Sequence, residues 1–135
     1  MSGNDAAGTR VEEGPPMTED KGFSRAMVVV AHADDAEFGC SGTVAKWCKE
    51  GMEVVYVIVT DGSKGSADHG MTSERLVKIR EQEQRNAAKV LGLHDVVFLG
   101  YEDSMLEPTL DLRRDIVKEI RRHKPDVLIC VSPIR

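Results

Sequence analysis

Four ionisable side chains follow directly on an apolar run at residues 27–30. They are those of His32, Asp34, Asp35 and Glu37. An imidazole and a carboxylate three positions apart on a turn can point at one ion, and a mixed nitrogen and oxygen donor set suits zinc. The spacing therefore predicts His32 and Asp35 as metal ligands. Asp34 lies between them and could accept a proton from a water molecule that the ion has made more acidic.

A polar turn is the alternative explanation for these residues. A single aspartate after a strand is more often a helix cap than a metal ligand. Two adjacent aspartates, Asp34 and Asp35, repel each other at the end of an apolar strand unless a cation or solvent relieves the repulsion. The cluster therefore favours metal-assisted hydrolysis and leaves the plain turn open.

The rest of the chain alternates short β-branched runs with longer amphipathic segments, which is typical of βαβ units. Four strands are predicted, at residues 26–32, 53–62, 95–100 and 126–132. Right-handed crossovers between them would give an α/β fold, a Rossmann-like three-layer sandwich with a mostly parallel sheet.

Three helices are predicted between the strands. The first begins at Ser41, which can cap it, and the second runs from Ser73 to Gly92. The third covers residues 110–124. Helical periodicity predicts the buried side of the second helix, which comprises Leu76, Ile79, Ala87, Val90 and Leu91.

Polar residues follow three of the predicted strands. The cluster that begins at His32 follows the first strand, Asp61 follows the second, and residues 101–104 follow the third. Open α/β sheets bind ligands outside the carboxyl ends of their strands. We therefore expect the three loops to converge on one site.

Composition narrows the partners and the compartment. The net charge is −5 and aromatic residues make up 4% of the chain, so a basic face with stacking rings for nucleic acid is not expected. No apolar run approaches the ~20 residues of a transmembrane helix, and the N-terminus lacks a signal-peptide pattern. The three cysteines form no CxxC pair, which favours a reducing compartment and predicts a cytoplasmic protein.

The composition also changes along the chain. Residues 1–24 are rich in Gly, Pro and polar side chains and are predicted to be a disordered tail, whereas residues 25–135 are predicted to form one domain. The chain stops shortly after the fourth strand with no closing helix, which would leave apolar surface exposed. We expect this domain to be the N-terminal part of a larger one.

The stretch "AHADDAEFGCSGT", residues 31–43, resembles the AHPDDxExGxGG signature of the PIG-L/LmbE-type zinc-dependent N-acetylglucosamine deacetylases. Similarity continues through "VTDGSKGS", "RLVKIREQEQRNAAKVLGL", "VVFLGYEDSML" and "KPDVLICVSP", so it extends from Arg25 to the end of the chain. The resemblance implies a hydrolase that removes the acetyl group from an N-acetylglucosamine-type amino sugar or conjugate, with Zn²⁺ as its cofactor. A small-molecule substrate is the partner it implies, and a homo-oligomer is compatible with it.

The resemblance also implies roles for individual residues. By motif position, His32 and Asp35 would ligate zinc and Asp34 would be the general base. Glu37 would support the site from behind the ligands. The arginine of the helix motif is Arg80, and the aspartate of the loop after the third strand is Asp103; both would lie in or near the substrate pocket.

The chain departs from the family pattern in three places. Ala33 replaces the usual proline and Ser41 one of the usual glycines or small residues, changes that remove no ligand. The family's third zinc ligand lies in an HxDH-like segment downstream of the fourth strand, and the sequence stops before it. We therefore expect this chain alone to bind zinc weakly. Among the remaining histidines, His94 and His123 are interpreted as structural, and His69 is kept as a further candidate ligand.

Two other functions share these residues. A non-catalytic Rossmann-like module could use them to cap a helix or to bind a metal without turnover, and a fragment lacking the third ligand could be inactive. A hydrolase of another amide or ester would differ only in the shape of its pocket. The residues discussed do not separate these alternatives.

Overall fold

The computed structural model describes residues 23–63, 70 and 72–132, without the side chains of Glu37 and Phe38. Residues 1–22 of the predicted tail and the candidate ligand His69 therefore lie outside the described residues. The last two residues of the predicted tail, Phe23 and Ser24, contact the domain: Phe23 packs against the core and the Ser24 amide donates to Asp126.

A four-stranded parallel sheet forms the centre of the structure. Its strands are β1 (Arg25–Val30), β2 (Glu53–Thr60), β3 (Asp95–Tyr101) and β4 (Val127–Cys130). The strand order is β3-β2-β1-β4, and each neighbouring pair is parallel. The predicted α/β fold with a parallel sheet is confirmed. The order reverses beside β1, because β4 pairs with the opposite side of β1 from β2.

The described ranges contain four helices beside the strands: α1 (Ala33–Gly39), α2 (Ser41–Lys49), α3 (Ser73–Leu91) and α4 (Leu110–His123). The last three match the predicted helices. Gly92 ends α3 with a φ of 83°, in the left-handed region that favours glycine. No helix within the described ranges combines the length and apolar character needed to cross a bilayer.

The helix α1 was not predicted, because its residues were interpreted as a turn. β1 ends at Val30, so His32 is not the last residue of a strand but the extended N-cap residue before α1. The Asp35 carboxylate accepts a hydrogen bond from the His32 amide at 3.0 Å, which pairs one of the donors left over at a helix start. The predicted cap at Ser41 is also wrong, since Ser41 is the first residue of α2 and Cys40 occupies the N-cap position.

Apolar side chains fill both faces of the sheet. On one face Val28, Val54 and Tyr56 pack with Val44 of α2 and Ala88 of α3. On the other face a smaller cluster packs against α4; it consists of Met27, Val55 and Val57 with Ile120 beside them. Burial on both faces explains why β1 and β2 read as nearly continuous apolar runs.

The buried face of α3 differs in part from the prediction. Leu76, Gln84 and Ala88 are its buried residues. Val90, which was predicted to be buried, is 89% exposed, and Ile79 is also exposed. The buried positions are spaced by four residues or multiples of four. The stripe of α3 that packs against the sheet is therefore narrower than the set of apolar residues that was predicted to be buried.

Met27 provides a test of the core on the α4 face. Its side chain is 0% exposed, whereas Met105 is 67% exposed. Met27→Ala should lower the free energy of unfolding by about 2–5 kcal/mol, because it leaves a cavity among packed side chains. Met105→Ala is the matched control and should change it by less than about 0.5 kcal/mol. Urea denaturation measures both, and equal effects would contradict this assignment of the core.

Asp126 joins the starts of β1 and β4. Its carboxylate accepts hydrogen bonds from the amides of Ser24 at 2.8 Å and Arg25 at 3.0 Å. These hydrogen bonds hold the pKa of Asp126 below its usual value. The carboxylate therefore stabilises the fold above the pKa of the unfolded chain, and this stabilisation is lost as the pH falls through the lower pKa of the folded state.

Asp126→Ala should accordingly lower the melting temperature at pH 7. The difference from the wild type should begin to shrink as the pH falls below the ordinary aspartate pKa of about 4, where the unfolded chain takes up the proton, and should keep shrinking until the folded-state carboxyl group is protonated at lower pH. Glu107→Ala, at an exposed loop position, is the control and should show no comparable effect. A difference that stays constant from pH 7 to pH 3 would contradict the proposed hydrogen-bonding role of the carboxylate.

Candidate functional site

The carboxyl ends of β1, β2 and β3 open onto a cavity of about 540 Å³. It contains every predicted site residue whose side chain is described. Its polar lining includes His32, Asp34, Asp35, Asp61, Arg80, Glu83, Gln84 and Asp103. The expected convergence of the three loops is therefore observed. A second cavity, of about 320 Å³, is lined by His94 and His123 and by no predicted site residue.

The start of α1 places His32 beside Asp35. The His32 Nδ1 atom lies 3.7 Å from the Asp35 Oδ2 atom, and the same oxygen accepts the hydrogen bond from the His32 amide. Asp34, in the first turn of α1, lines the same cavity. The positive end of the helix dipole partly offsets the repulsion between the two aspartates. The predicted ligand pair and the predicted base thus share one wall of the cavity.

Asp103 lies against the other side of the His32 ring. The His32 Nε2 atom is 2.8 Å from Asp103 Oδ1, and Asp103 is only 6% exposed. A carboxylate accepts hydrogen bonds, so Nε2 carries the proton and Nδ1 is left on the side of Asp35. This hydrogen bond raises the pKa of His32, while partial burial opposes the rise. The sequence placed Asp103 near the pocket but did not predict this contact.

Asp61 connects the loops that follow β2 and β3. Its Oδ1 atom accepts hydrogen bonds from the amides of Ser63 at 2.9 Å and Asp103 at 3.2 Å. Burial acts to raise the pKa of Asp61, but these hydrogen bonds outweigh it and lower the pKa. An aspartate followed by glycine after a strand is typical of a side-chain-capped turn, and this signal could have identified its role from the sequence.

Arg80 reaches the cavity from α3. Its Nη1 atom lies 3.1 Å from Glu83 Oε2, and both residues line the cavity. Arg80 and Asp103 line the same cavity, while the predicted part of both residues in a substrate pocket stays a prediction. The side chain of Glu37 lies outside the described residues, so its predicted supporting role also stays a prediction.

His94 and His123 lie away from this cavity. His94 directly precedes β3, at the opposite edge of the sheet from the predicted site. His123 is the last residue of α4, and its Nε2 atom lies 3.4 Å from Glu119 Oε1. Neither residue lines the cavity that contains His32 and Asp35, and the interpretation of both as structural stays a prediction.

The described residues offer zinc a pair of donors. No group of three or more His, Cys, Asp and Glu side chains in the described ranges is arranged to hold a metal ion. His32 Nδ1 and the Asp35 carboxylate lie side by side and supply the nitrogen and oxygen donors common in zinc sites. Asp103 on the far side of the ring has the position of a carboxylate that orients a histidine ligand. The pair therefore fits zinc, as part of a ligand set.

Fold and site together define a Rossmann-like α/β domain with a histidine and aspartate pocket at the carboxyl edge of its sheet. Residues 27–135 match the PIG-L family, described as GlcNAc-PI de-N-acetylase. The match covers most of the chain, and the chain belongs to this family.

Two relatives are deacetylases by name. Diacetylchitobiose deacetylase from Thermococcus kodakarensis is 31% identical over 109 residues, which cover 81% of this chain and 41% of the relative. The probable N-acetyl-alpha-D-glucosaminyl L-malate deacetylase 2 of Bacillus anthracis is 32% identical over 112 residues, with coverages of 79% and 50%. The chain thus spans half or less of the length of each relative.

A solved structure shows the same fold. It is N,N′-diacetylchitobiose deacetylase from Pyrococcus horikoshii in complex with an inhibitor, which superimposes with a TM-score of 0.77 at 32% identity. The superposition covers 80% of this chain and 40% of that one. The sheet and its helices are therefore an arrangement that this deacetylase also uses.

Removing the Asp61 carboxylate should loosen the loop that carries Asp103. In Asp61→Ala the Asp103 amide loses its carboxylate acceptor, so its hydrogen exchange should accelerate by about tenfold or more, because a hydrogen bond to a charged group contributes about 1.5–3 kcal/mol. Asp61→Asn keeps a side-chain oxygen and should retain most of the protection. Hydrogen exchange followed by NMR measures both variants. Unchanged protection in Asp61→Ala would show that the two loops are held together in another way.

Proposed function

We propose that the full-length protein is a zinc-dependent hydrolase that removes the N-acetyl group from an N-acetylglucosamine-type amino sugar or conjugate. One observation carries the proposal. His32, Asp34 and Asp35 line a single cavity at the carboxyl edge of the sheet, in a member of a family whose relatives are named as deacetylases.

His32 and Asp35 would hold the zinc ion. When bound, zinc supplies Lewis acidity toward the amide carbonyl and makes water more acidic. Asp103 keeps the proton on His32 Nε2 through the 2.8 Å contact, so that Nδ1 is the nitrogen with a lone pair on the side of Asp35. Glu37 is proposed to support these ligands from behind.

Asp34 would act as the general base. Its carboxylate lines the cavity beside the ligand pair without the hydrogen bond to the His32 amide that engages Asp35. It would take a proton from the attacking water as the oxygen bonds to the carbonyl carbon. The carbon–nitrogen bond then breaks, acetate is released, and the departing amine takes up the proton that Asp34 had accepted, which restores the base.

Arg80 and Asp103 would bind the sugar. The ion pair with Glu83 holds the Arg80 guanidinium at the cavity, where its N–H groups could donate to hydroxyl oxygens. The cavity volume of about 540 Å³ lies within the roughly 300–1,000 Å³ of small-molecule sites. An amino sugar is therefore a suitable size of substrate.

A cytoplasmic location is also part of the proposal. Cys40, Cys48 and Cys130 all carry free thiols, which fits a reducing compartment. Burial raises the pKa of the Cys40 and Cys48 thiols, so these two are less reactive than an exposed cysteine.

Substitutions in α1 separate the two proposed roles. Asp34→Ala should keep zinc and reduce kcat by about 10²–10⁴-fold, the usual contribution of a general base. Asp35→Ala should lose zinc as well as activity. Asp111→Ala, at an exposed position in α4, is the control. The measurements are acetate release from N-acetylglucosamine and diacetylchitobiose and the zinc content by elemental analysis.

Two results would contradict the proposal. The first is a carefully purified full-length protein that contains no metal and gains no activity with added zinc. The second is an Asp34→Ala variant with wild-type turnover. A protein that binds zinc stoichiometrically but hydrolyses neither sugar would favour the non-catalytic binding module.

A further inference from the structure

Gln84 is a buried polar residue of α3 that lines the candidate site. It is 4% exposed. Its Nε2 atom is buried and has no hydrogen-bond partner among the residues that the structure describes. Buried amide groups are nearly always hydrogen-bonded, because an unpaired donor away from water is unfavourable. The fold of the described residues therefore supplies no acceptor for this donor.

The position of Gln84 in α3 places it between the site and the core. Arg80 lies one turn before it and lines the same cavity, and Ala88 lies one turn after it in the core. Ile58 and Phe98 contribute apolar lining to the cavity. An apolar side chain of similar size would suit this wall better for folding alone, so packing does not explain the glutamine.

The cavity is rich in acceptors and poor in uncommitted donors. Its carboxylates are acceptors when ionised; they are those of Asp34, Asp35, Asp61, Glu81, Glu83 and Asp103. Thr60 donates its hydroxyl to the Ala31 carbonyl at 2.8 Å, and His32 is engaged by Asp103. The Arg80 guanidinium, which pairs with Glu83 through Nη1, is the other donor proposed for the sugar. A sugar has oxygens that need donors as well as hydroxyls that need acceptors, and Gln84 can meet the first need.

We infer that Gln84 is a substrate-binding residue whose Nε2 donates a hydrogen bond to an oxygen of the bound amino sugar, and that it thereby contributes to specificity. The inference rests on the proposed function. A ligand without an oxygen at that position would leave the donor unpaired, so the site would discriminate against it. In the unliganded protein the same donor lowers stability, which is a common cost of a binding site.

Gln84→Met tests this in the full-length protein, since methionine keeps the length of the side chain and removes the donor. With N-acetylglucosamine as substrate, KM should rise by about tenfold or more, with a smaller change in kcat. The melting temperature without ligand should be unchanged or higher, because the unpaired donor is gone. Gln84→Leu is a second variant without the donor and should behave in the same way.

Gln82→Met is the matched control. Gln82 is exposed on the same helix, and its Nε2 atom donates to Asn86 Oδ1 at 2.9 Å. This variant should leave KM within about twofold of the wild type, as a surface change away from the site.

The outcomes separate this inference from the proposed function. A wild-type protein that hydrolyses the sugar together with a Gln84→Met variant of unchanged KM would overturn the inference alone. A melting temperature several degrees below that of the wild type would also overturn it, whatever happens to KM, because it would show a structural role. A wild-type protein that neither binds nor hydrolyses the sugar would overturn both.

Discussion

Parallel pairing of the strands is the constraint on which the site depends. Because β1, β2 and β3 run in the same direction, their carboxyl ends meet at one edge, and each following loop begins there. β2 is buried from Val54 to Thr60, so the position of Asp61, the next residue, is set by the packing of the whole strand. Asp61 in turn holds the Asp103 amide, and the Asp103 carboxylate contacts His32. The imidazole is thus positioned through the core.

The same edge of the sheet carries several carboxylates, and local interactions reduce the repulsion between them. The start of α1 offers a favourable dipole to Asp34 and Asp35. Backbone amides stabilise the ionised form of Asp61, and the guanidinium of Arg80 pairs with Glu83. A divalent cation at His32 and Asp35, as proposed, would add to the same balance. The electrostatics of the unliganded site and the proposed chemistry therefore point to one location.

The pattern of apolar residues along the sequence predicted the strands and helices that form because they bury apolar side chains. Continuous apolar runs identified β1 and β2, and the glycine at position 92 predicted the end of α3, where the structure has a left-handed backbone conformation. The helix α1 was not predicted, because a helix of seven residues is too short to show a periodic pattern of apolar residues. A helix of this length also depends on tertiary contacts for its stability. The contact between His32 and Asp103 spans 71 positions, and no local pattern encodes a pairing over that separation. The sequence indicated which residues would meet at the edge, but not which of them would touch.

The buried polar residues lie mainly at the carboxyl edge of the sheet, and they mark the candidate site more clearly than the sequence motif that begins at His32. In the described part of the chain they are Thr60, Gln84, Asp103 and Glu119. The first three line the cavity at the carboxyl edge, whereas Glu119 lies within α4 beside Arg122 and His123. Burying such groups is unfavourable unless each finds a partner. Thr60 and Asp103 find theirs in Ala31 and His32, whereas Gln84 Nε2 has none among the described residues, so the burial of Gln84 is poorly explained by stability. A polar contact with a ligand that binds at this edge of the sheet explains the burial of Gln84. No sequence motif identified this residue, and packing alone accounts for it less well than for the other buried polar residues of the cavity.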